Sequence, residues 1–313
     1  MELLILSKQT LERLFNAEEV LNALSLGYEH FEMGLVSNPE RSVITKENDW
    51  WGVMLAHSYE TGVCVKVVSV LPNNAKKGAP ATQALVIYHN ALNGEPLALI
   101  EGTTFTALRT ACVSALALKL LIKPEDVFFV GTGLQARYHA FVLKELFDIK
   151  EVNARSKTTQ SRESFLSYCA NLGLKVNSSL KEEDAQTVIV ATTSNVPVIE
   201  RFGEKNKIIV SIGAPTPSAR ELSDQVLKKA DYIVVDSYEG CLKEAGDIIQ
   251  PFNAGFIKRE KIVSLGELVT SKKSASGKIV YKSVGIAFQD LYIAKYFFDK
   301  AQKEGVGQNV SLV

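Results

Sequence analysis

An excess of either charge is missing. Thirty-five Lys and Arg stand against 35 Asp and Glu, so no net field draws the chain to nucleic acid or to an anionic membrane surface. Cysteine is scarce. The four present (Cys64, Cys112, Cys169, Cys241) lie far apart without metal-site spacing, and read as reduced thiols of a cytoplasmic protein. None of the four histidines is spaced for a metal either: His89 sits at a hairpin and His30 and His139 on helical segments, leaving only His57, at a strand end, as a candidate site residue. A serine-hydrolase elbow, a P-loop and an H-E-x-x-H are all absent. No apolar run approaches the roughly 20 residues of a membrane span. The opening MELLILSKQTLERLF has neither a basic leader nor a small-residue cleavage site, so it does not read as a signal peptide.

What remains is a chain of ordinary apolar content, long enough for two domains. Its pattern changes near residue 120. After an N-terminal helix signal, short β-like runs occur at 51–57, 63–70, 82–88 and 96–101, with Asn93-Gly94 as a hairpin turn between the last two. Runs joined by turns rather than helices predict a mostly antiparallel sheet. Residues 105–122 read as a buried helix rich in Ala and Leu. From residue 124, strand and helix alternate: 127–130, 151–154, 187–192, 207–212 and 232–236 are apolar runs spaced for parallel strands with crossovers. The helix 286–302 is expected to pack back on the first domain and make it discontinuous, and 271–278 (SKKSASGK) to form a polar, mobile loop.

The sharpest motif is Gly131-Thr132-Gly133-Leu134-Gln135-Ala136, a G-x-G-x-x-A that follows an apolar strand and opens a helix, the context dinucleotide binding requires. Gly131 permits the tight turn, Gly133 lets a pyrophosphate approach the backbone, and Ala136 lets the helix pack close to the strand. The helix N-terminus offers unpaired N–H groups to the phosphates. Beyond the second strand, where an acidic residue would take the ribose 2′-hydroxyl of NAD, the sequence reads Arg155-Ser156-Lys157-Thr158. Two cations and two hydroxyls suit a 2′-phosphate, so NADP(H) is expected to be preferred over NAD(H).

Three basic residues stand out in the first half. Lys66 lies within the apolar run 63–70, on a face shared with Cys64, Val68 and Val70. Either it is an edge-strand lysine that discourages aggregation, or a site residue. Arg109 opens a nearly charge-free helix, from which its donors could meet a carboxylate or phosphate. Arg41 precedes a β-like run and is the least specific of the three.

With these residues in view, the chain resembles the ornithine cyclodeaminase/μ-crystallin family, which includes archaeal-type alanine dehydrogenases and ketimine reductases. The resemblance runs nearly end to end: Lys66-Val67-Val68-Ser69-Val70, Gly78-Ala79-Pro80-Ala81-Thr82, Gly94-Glu95-Pro96-Leu97-Ala98, Thr106-Ala107-Leu108-Arg109-Thr110, the glycine motif, Ile212-Gly213-Ala214, Arg220-Glu221-Leu222, Val235-Asp236-Ser237, Glu244-Ala245-Gly246-Asp247 and Lys282-Ser283-Val284-Gly285. It implies a Rossmann NAD(P)-binding domain over 119–285 and a discontinuous α+β domain over 1–118 and 286–313 that binds substrate and forms a homodimer. By position, Arg41, Lys66 and Arg109 would surround a substrate carboxylate, and Lys66 would also touch the reacting amine or imine. Val284 and Gly285 would line the substrate site. Thr82 would lie near the nicotinamide, and Arg109, Thr192, Ile212 and Gly213 would complete the cofactor contacts with the glycine motif and 155–158.

The expected activity is hydride transfer at the carbon–nitrogen bond of a small amino or imino acid, with neither nucleic acid nor membrane as partner. Two alternatives are ornithine cyclodeamination with bound NAD, and a crystallin-like small-ligand binder that uses NADPH structurally. Three departures bear on the choice. Pro215 stands where cyclodeaminases carry an aspartate that handles the amine, which puts that chemistry in doubt. Met54-Leu55 replaces the usual Met-Pro, and Asn90 and Asn93 replace the Asp and Thr common at the hairpin.

Overall fold

The computed structural model describes residues 2–47, 49–213, 216–271 and 275–311. The chain divides into two compact units, Met1–Arg109 with Ile286–Val313, and Thr110–Gly285. In order the elements are β1 (Glu2–Leu6), α1 (Lys8–Leu14), α2 (Ala17–Glu32), β2 (Ser42–Lys46), β3 (Asp49–Ser58), β4 (Gly62–Val70), β5 (Thr82–His89), β6 (Pro96–Glu101) and α3 (Gly102–Leu121). There follow β7 (Asp126–Val130), α4 (Leu134–Leu146), β8 (Glu151–Arg155), α5 (Thr159–Asn171), β9 (Thr187–Val190), β10 (Ile208–Ser211), α6 (Asp224–Lys229), β11 (Tyr232–Val235), α7 (Tyr238–Glu244) and α8 (Gly246–Asn253). Then come β12 (Ile262–Ser264), α9 (Leu265–Ser271), β13 (Ile279–Lys282), α10 (Ala287–Glu304) and β14 (Gln308–Ser311).

The first unit is built on a sheet ordered β14-β1-β6-β5-β4-β3-β2. All its pairings are antiparallel except β1 with β6. The N-terminus therefore begins as a strand, where the sequence reads only a helix. The Asn93-Gly94 hairpin joins β5 to β6. Its two asparagines serve the turn: Asn90 Oδ1 accepts from the Leu92 amide and Asn93 Oδ1 from the Glu95 amide. Returning from the second unit, α10 packs on β3 and β4 and against α2. Its Phe288 and Tyr292 meet Tyr28, Phe31 and His30 of α2 in ring contacts.

The second unit is a sheet ordered β12-β11-β13-β10-β9-β7-β8, parallel at every pairing. Its central strands are buried along their whole length, as helix-covered parallel strands require. The chain runs from β7 outward to β8, then crosses back so that β9 lies on the other side of β7. This reversal is the switch point of a Rossmann sheet, where a crevice opens beyond the carboxyl ends of the strands.

The unit boundary falls after Arg109, inside α3, rather than at the expected 118/119. Helix α3 also corrects the expectation about membrane spans: its 20 residues are long and apolar enough to cross a bilayer, but the span is 83% buried inside the protein. The apolar composition serves the core. The predicted loop 271–278 falls partly outside the described residues, at 272–274.

Candidate active site

Lys66 projects from β4, a strand paired on both sides, with Met54 of β3 and Val86 of β5 as its cross-strand neighbours. It is therefore not an edge lysine. Alternation places it on the inner face with Cys64 and Val68, both buried. Only 1% exposed, it directs its ammonium at Asp290 of α10, with Nζ 2.6 Å from Oδ2. Arg109 of α3 reaches the other oxygen, Nε to Oδ1 at 2.9 Å. Its Nη1 donates to Gln289 Oε1 at 3.2 Å, and Gln289 Nε2 donates to the Tyr28 hydroxyl of α2 at 2.8 Å. Four elements thus meet in a buried polar chain that carries two cations and one carboxylate.

Burial pulls the Lys66 ammonium down to about 8, helped by the neighbouring Arg109 and by Arg41 and opposed by Asp290. For Asp290 burial would raise the carboxyl, but Arg109 and Lys66 outweigh it and hold it below its ordinary value. Lys66 can therefore gain or lose a proton near neutrality, whereas Asp290 stays ionised. The trio carries one net positive charge in a desolvated place, to which Arg41 adds its field, and the arrangement suits one carboxylate ligand. Thr82, partly buried, begins β5 opposite Val70, on the same inner face as Lys66. His57 does not join them. It pairs with Val63 on the opposite face, its ring packs edge-on against Tyr59, and the sequence-based candidacy fails on strand alternation.

In the second unit the glycine motif forms the turn from β7 into α4. Gly131 has φ +93°, and a Cβ there would lie 2.3 Å from the Ala191 carbonyl oxygen, so only glycine fits. Gly133 is the N-cap of the 13-residue α4, and a Cβ there would meet nothing within 4 Å. Open space over a helix N-terminus is the cradle a pyrophosphate needs, so these residues fit a dinucleotide. Ala136 is fully buried, and Leu134 and Gln135 open the helix. Thr132 Oγ1 donates to Ser156 Oγ at 2.9 Å, tying the turn to the loop after β8. In that loop Lys157 is exposed, Thr158 caps α5, and Arg155 pairs with Glu182 and donates to the Val198 carbonyl.

Sequence reasoning missed how the remaining residues expected to contact the cofactor are held. Thr192 follows β9 and Ile212-Gly213 follows β10. The fully buried Glu221 accepts from Thr192 N at 2.8 Å, Thr192 Oγ1 at 2.7 Å and Gly213 N at 2.9 Å. Asp247 in turn accepts from the amides of Glu221 and Leu222 and pairs with Lys282 Nζ at 2.8 Å. Asp236 fixes Val284 and Gly285 by accepting from both amides and from Ser283 Oγ. Three blocks of the family resemblance, at 220–222, 244–247 and 282–285, are thus united in one buried network. Pro215 lies outside the described residues.

A family model described as the ornithine cyclodeaminase/mu-crystallin family matches residues 1–305. The chain belongs to this family. The alanine dehydrogenase of Archaeoglobus fulgidus is 32% identical, with 99% of this chain and 98% of that protein covered. The rat ketimine reductase mu-crystallin is 35% identical over 85% of this chain and 86% of its own length. Among solved structures, the Thermococcus litoralis Delta(1)-pyrroline-2-carboxylate reductase in complex with NADH and L-proline superposes with a TM-score of 0.91 at 32% identity, covering 98% of this chain and all of that one.

Proposed function

We propose that this protein is a nicotinamide-dependent oxidoreductase that transfers a hydride at the carbon–nitrogen bond of a small amino or imino acid, in the ketimine reductase or amino-acid dehydrogenase sense. The observation that carries this reading is the Lys66–Asp290–Arg109 cluster: an ammonium poised to titrate near neutrality beside a guanidinium suited to a carboxylate. Arg41 and Arg109 take the substrate carboxylate, and Lys66 gives a proton to the imine nitrogen or accepts one from the amine. Gly131 to Ala136, Ser156, Thr192, Ile212 and Gly213 hold the dinucleotide. The cofactor, when bound, supplies or takes the hydride. Its preferred form is NADP(H), because the loop after β8 offers Lys157 and two hydroxyls and no carboxylate of its own.

The similarity to an alanine dehydrogenase, a ketimine reductase and a pyrroline-2-carboxylate reductase supports the same reaction class. A homodimer fits the outer face of the first sheet, where Ile44, Trp51, Val53, Leu55, Val67 and Leu85 are exposed side by side. A related archaeal alanine dehydrogenase, 30% identical with a TM-score of 0.89, was solved as a dimer. Four buried cysteines without disulfides are compatible with a reducing compartment, which supports a cytoplasmic location.

The deciding experiment follows oxidation of NADPH, and of NADH in parallel, against cyclic imino acids and against pyruvate with ammonia or methylamine. Ornithine is run alongside with ammonia release as readout. Consumption of NADPH with an imine or amine–keto acid pair is the expected result. Ammonia from ornithine without net cofactor loss, or no turnover of any kind, would overturn the reading.

A further inference from the structure

A salt bridge this deeply buried is poor value as a stabiliser. Taking an ammonium, a guanidinium and a carboxylate out of water costs several kcal/mol per ion, and apolar replacements of like volume commonly stabilise as well or better. Yet Asp290 and Lys66 are each 1% exposed and Arg109 is 4% exposed, within a unit whose core is mainly apolar. The geometry is also divided in a specific way: each carboxylate oxygen takes one cation, and the guanidinium keeps a separate bond to Gln289. Gln289 is held from both sides, by its bond to Tyr28 and by the Ile286 amide that donates to its Oε1. The residue next to Asp290 on α10 is therefore fixed, and so is the start of the helix that presents the carboxylate.

We propose that Asp290 is a positioning residue, whose carboxylate takes Lys66 on one oxygen and Arg109 on the other and so fixes both the direction of Lys66 and its readiness to carry a proton. This rests on the reading of Lys66 as the group that exchanges a proton with the substrate nitrogen. The groups that face Lys66 are Asp290 from α10, Arg109 from α3, Arg41 ahead of β2, and the Cys64 thiol on its own strand. Its neighbours across the sheet, Met54 and Val86, do not titrate. Among these groups Asp290 is the one anion. Without it, burial and two guanidinium charges would drive the proton off Lys66 at neutral pH, and the imine nitrogen would meet an amine with no proton to give. Asp290 itself reaches neither substrate nor cofactor in this scheme; it acts through Lys66 and Arg109.

The test reads the two side chains directly. Protein labelled with ¹³C at lysine and aspartate side chains is titrated by NMR, with the Lys66 and Asp290 signals assigned by their loss in Lys66→Met and Asp290→Glu. In the native chain the Asp290 carboxyl signal should inflect at the midpoint at which Lys66 loses its proton; the absence of that inflection would overturn the proposal. In Asp290→Asn the Lys66 midpoint should fall by about one pH unit or more, and the alkaline limb of imine reduction should move down with it, mainly through kcat. A folded Asp290→Asn protein with an unmoved midpoint would also overturn it. A native protein that shows the coupled titration yet reduces no imine would instead sink the proposed function and leave the coupling standing.

Discussion

The ammonium of Lys66 lies 2.6 Å from the carboxylate of Asp290, in contact across 224 residues of sequence and sealed from solvent at both ends. Replacing Lys66 by Met keeps the length and volume of the stem but removes the charge. Asp290 retains Arg109 as its partner, so the variant avoids the roughly 3–5 kcal/mol cost of a wholly unpaired buried charge. Turnover should fall about a hundredfold or more, the usual scale of a lost proton-transfer group. Cofactor affinity, measured by NADPH fluorescence titration, should stay within about twofold, because the glycine turn lies elsewhere in the chain. Undiminished turnover would remove the role assigned to Lys66.

The two glycines of the dinucleotide turn should separate cleanly on substitution. Alanine at Gly131 meets a backbone oxygen at 2.3 Å and must adopt φ +93°, so Gly131→Ala should lower the melting temperature and damage cofactor binding together. Alanine at Gly133 meets nothing within 4 Å. Gly133→Ala should therefore melt like the parent while binding NADPH at least about tenfold more weakly, because the added methyl would fill the space proposed for the pyrophosphate. Paired thermal melts and cofactor titrations check both. Full affinity in Gly133→Ala would mean that the open space at the helix N-terminus is not the phosphate cradle.

Much of this arrangement is legible in the sequence because its signals are local. Alternation over Gly62–Val70 puts Lys66 on the inner face with Cys64 and Val68, and apolar runs such as Thr187–Val190 announce helix-covered strands. What escapes is either too short or too distant. Strand β12 has three residues, and β13 ends on Lys282, whose charge breaks the apolar pattern until Asp247 is seen to neutralise it. Strands β1 and β14 pair the two ends of the chain, a match that no window reveals. Asp290 is hidden in the same way. On α10 it reads as one more polar residue beside Gln289, and only packing against α3 and β4 gives it two cations to hold.

The exposed face of the first sheet yields a prediction about assembly. Val53, Val67 and Leu85 form one cross-strand row that points away from Lys66, and they are 41%, 49% and 43% exposed. Glutamate at Val67 would project outward without disturbing the inner face. The parent should elute as the proposed dimer by size exclusion with light scattering, and Val67→Glu should fold but elute as a monomer. A dimer that survives both this change and Leu85→Glu would move the interface off this face.

His139 gives the protein an acid limit of its own. Its Nδ1 lies 2.7 Å from the Gln135 carbonyl oxygen and its Nε2 3.0 Å from Ser114 Oγ. A carbonyl can only accept, so Nδ1 carries the proton, and the neutral ring leaves Nε2 to accept from the serine hydroxyl. Complete burial makes a second proton costly and lowers the imidazole to about 4, against an ordinary 6.5, although the Gln135 bond partly opposes the shift. Between those values the unfolded chain binds a proton that the folded chain refuses, so stability is lost as pH falls from about 6.5 toward 4. At pH 5 that loss comes to about 2 kcal/mol. His139→Asn can keep the donor to Gln135 without titrating. Its urea unfolding free energy should therefore decline less than the parent's between pH 7 and pH 5, by about that amount. Equal declines would show that His139 takes up its proton in the folded protein as readily as in the unfolded one.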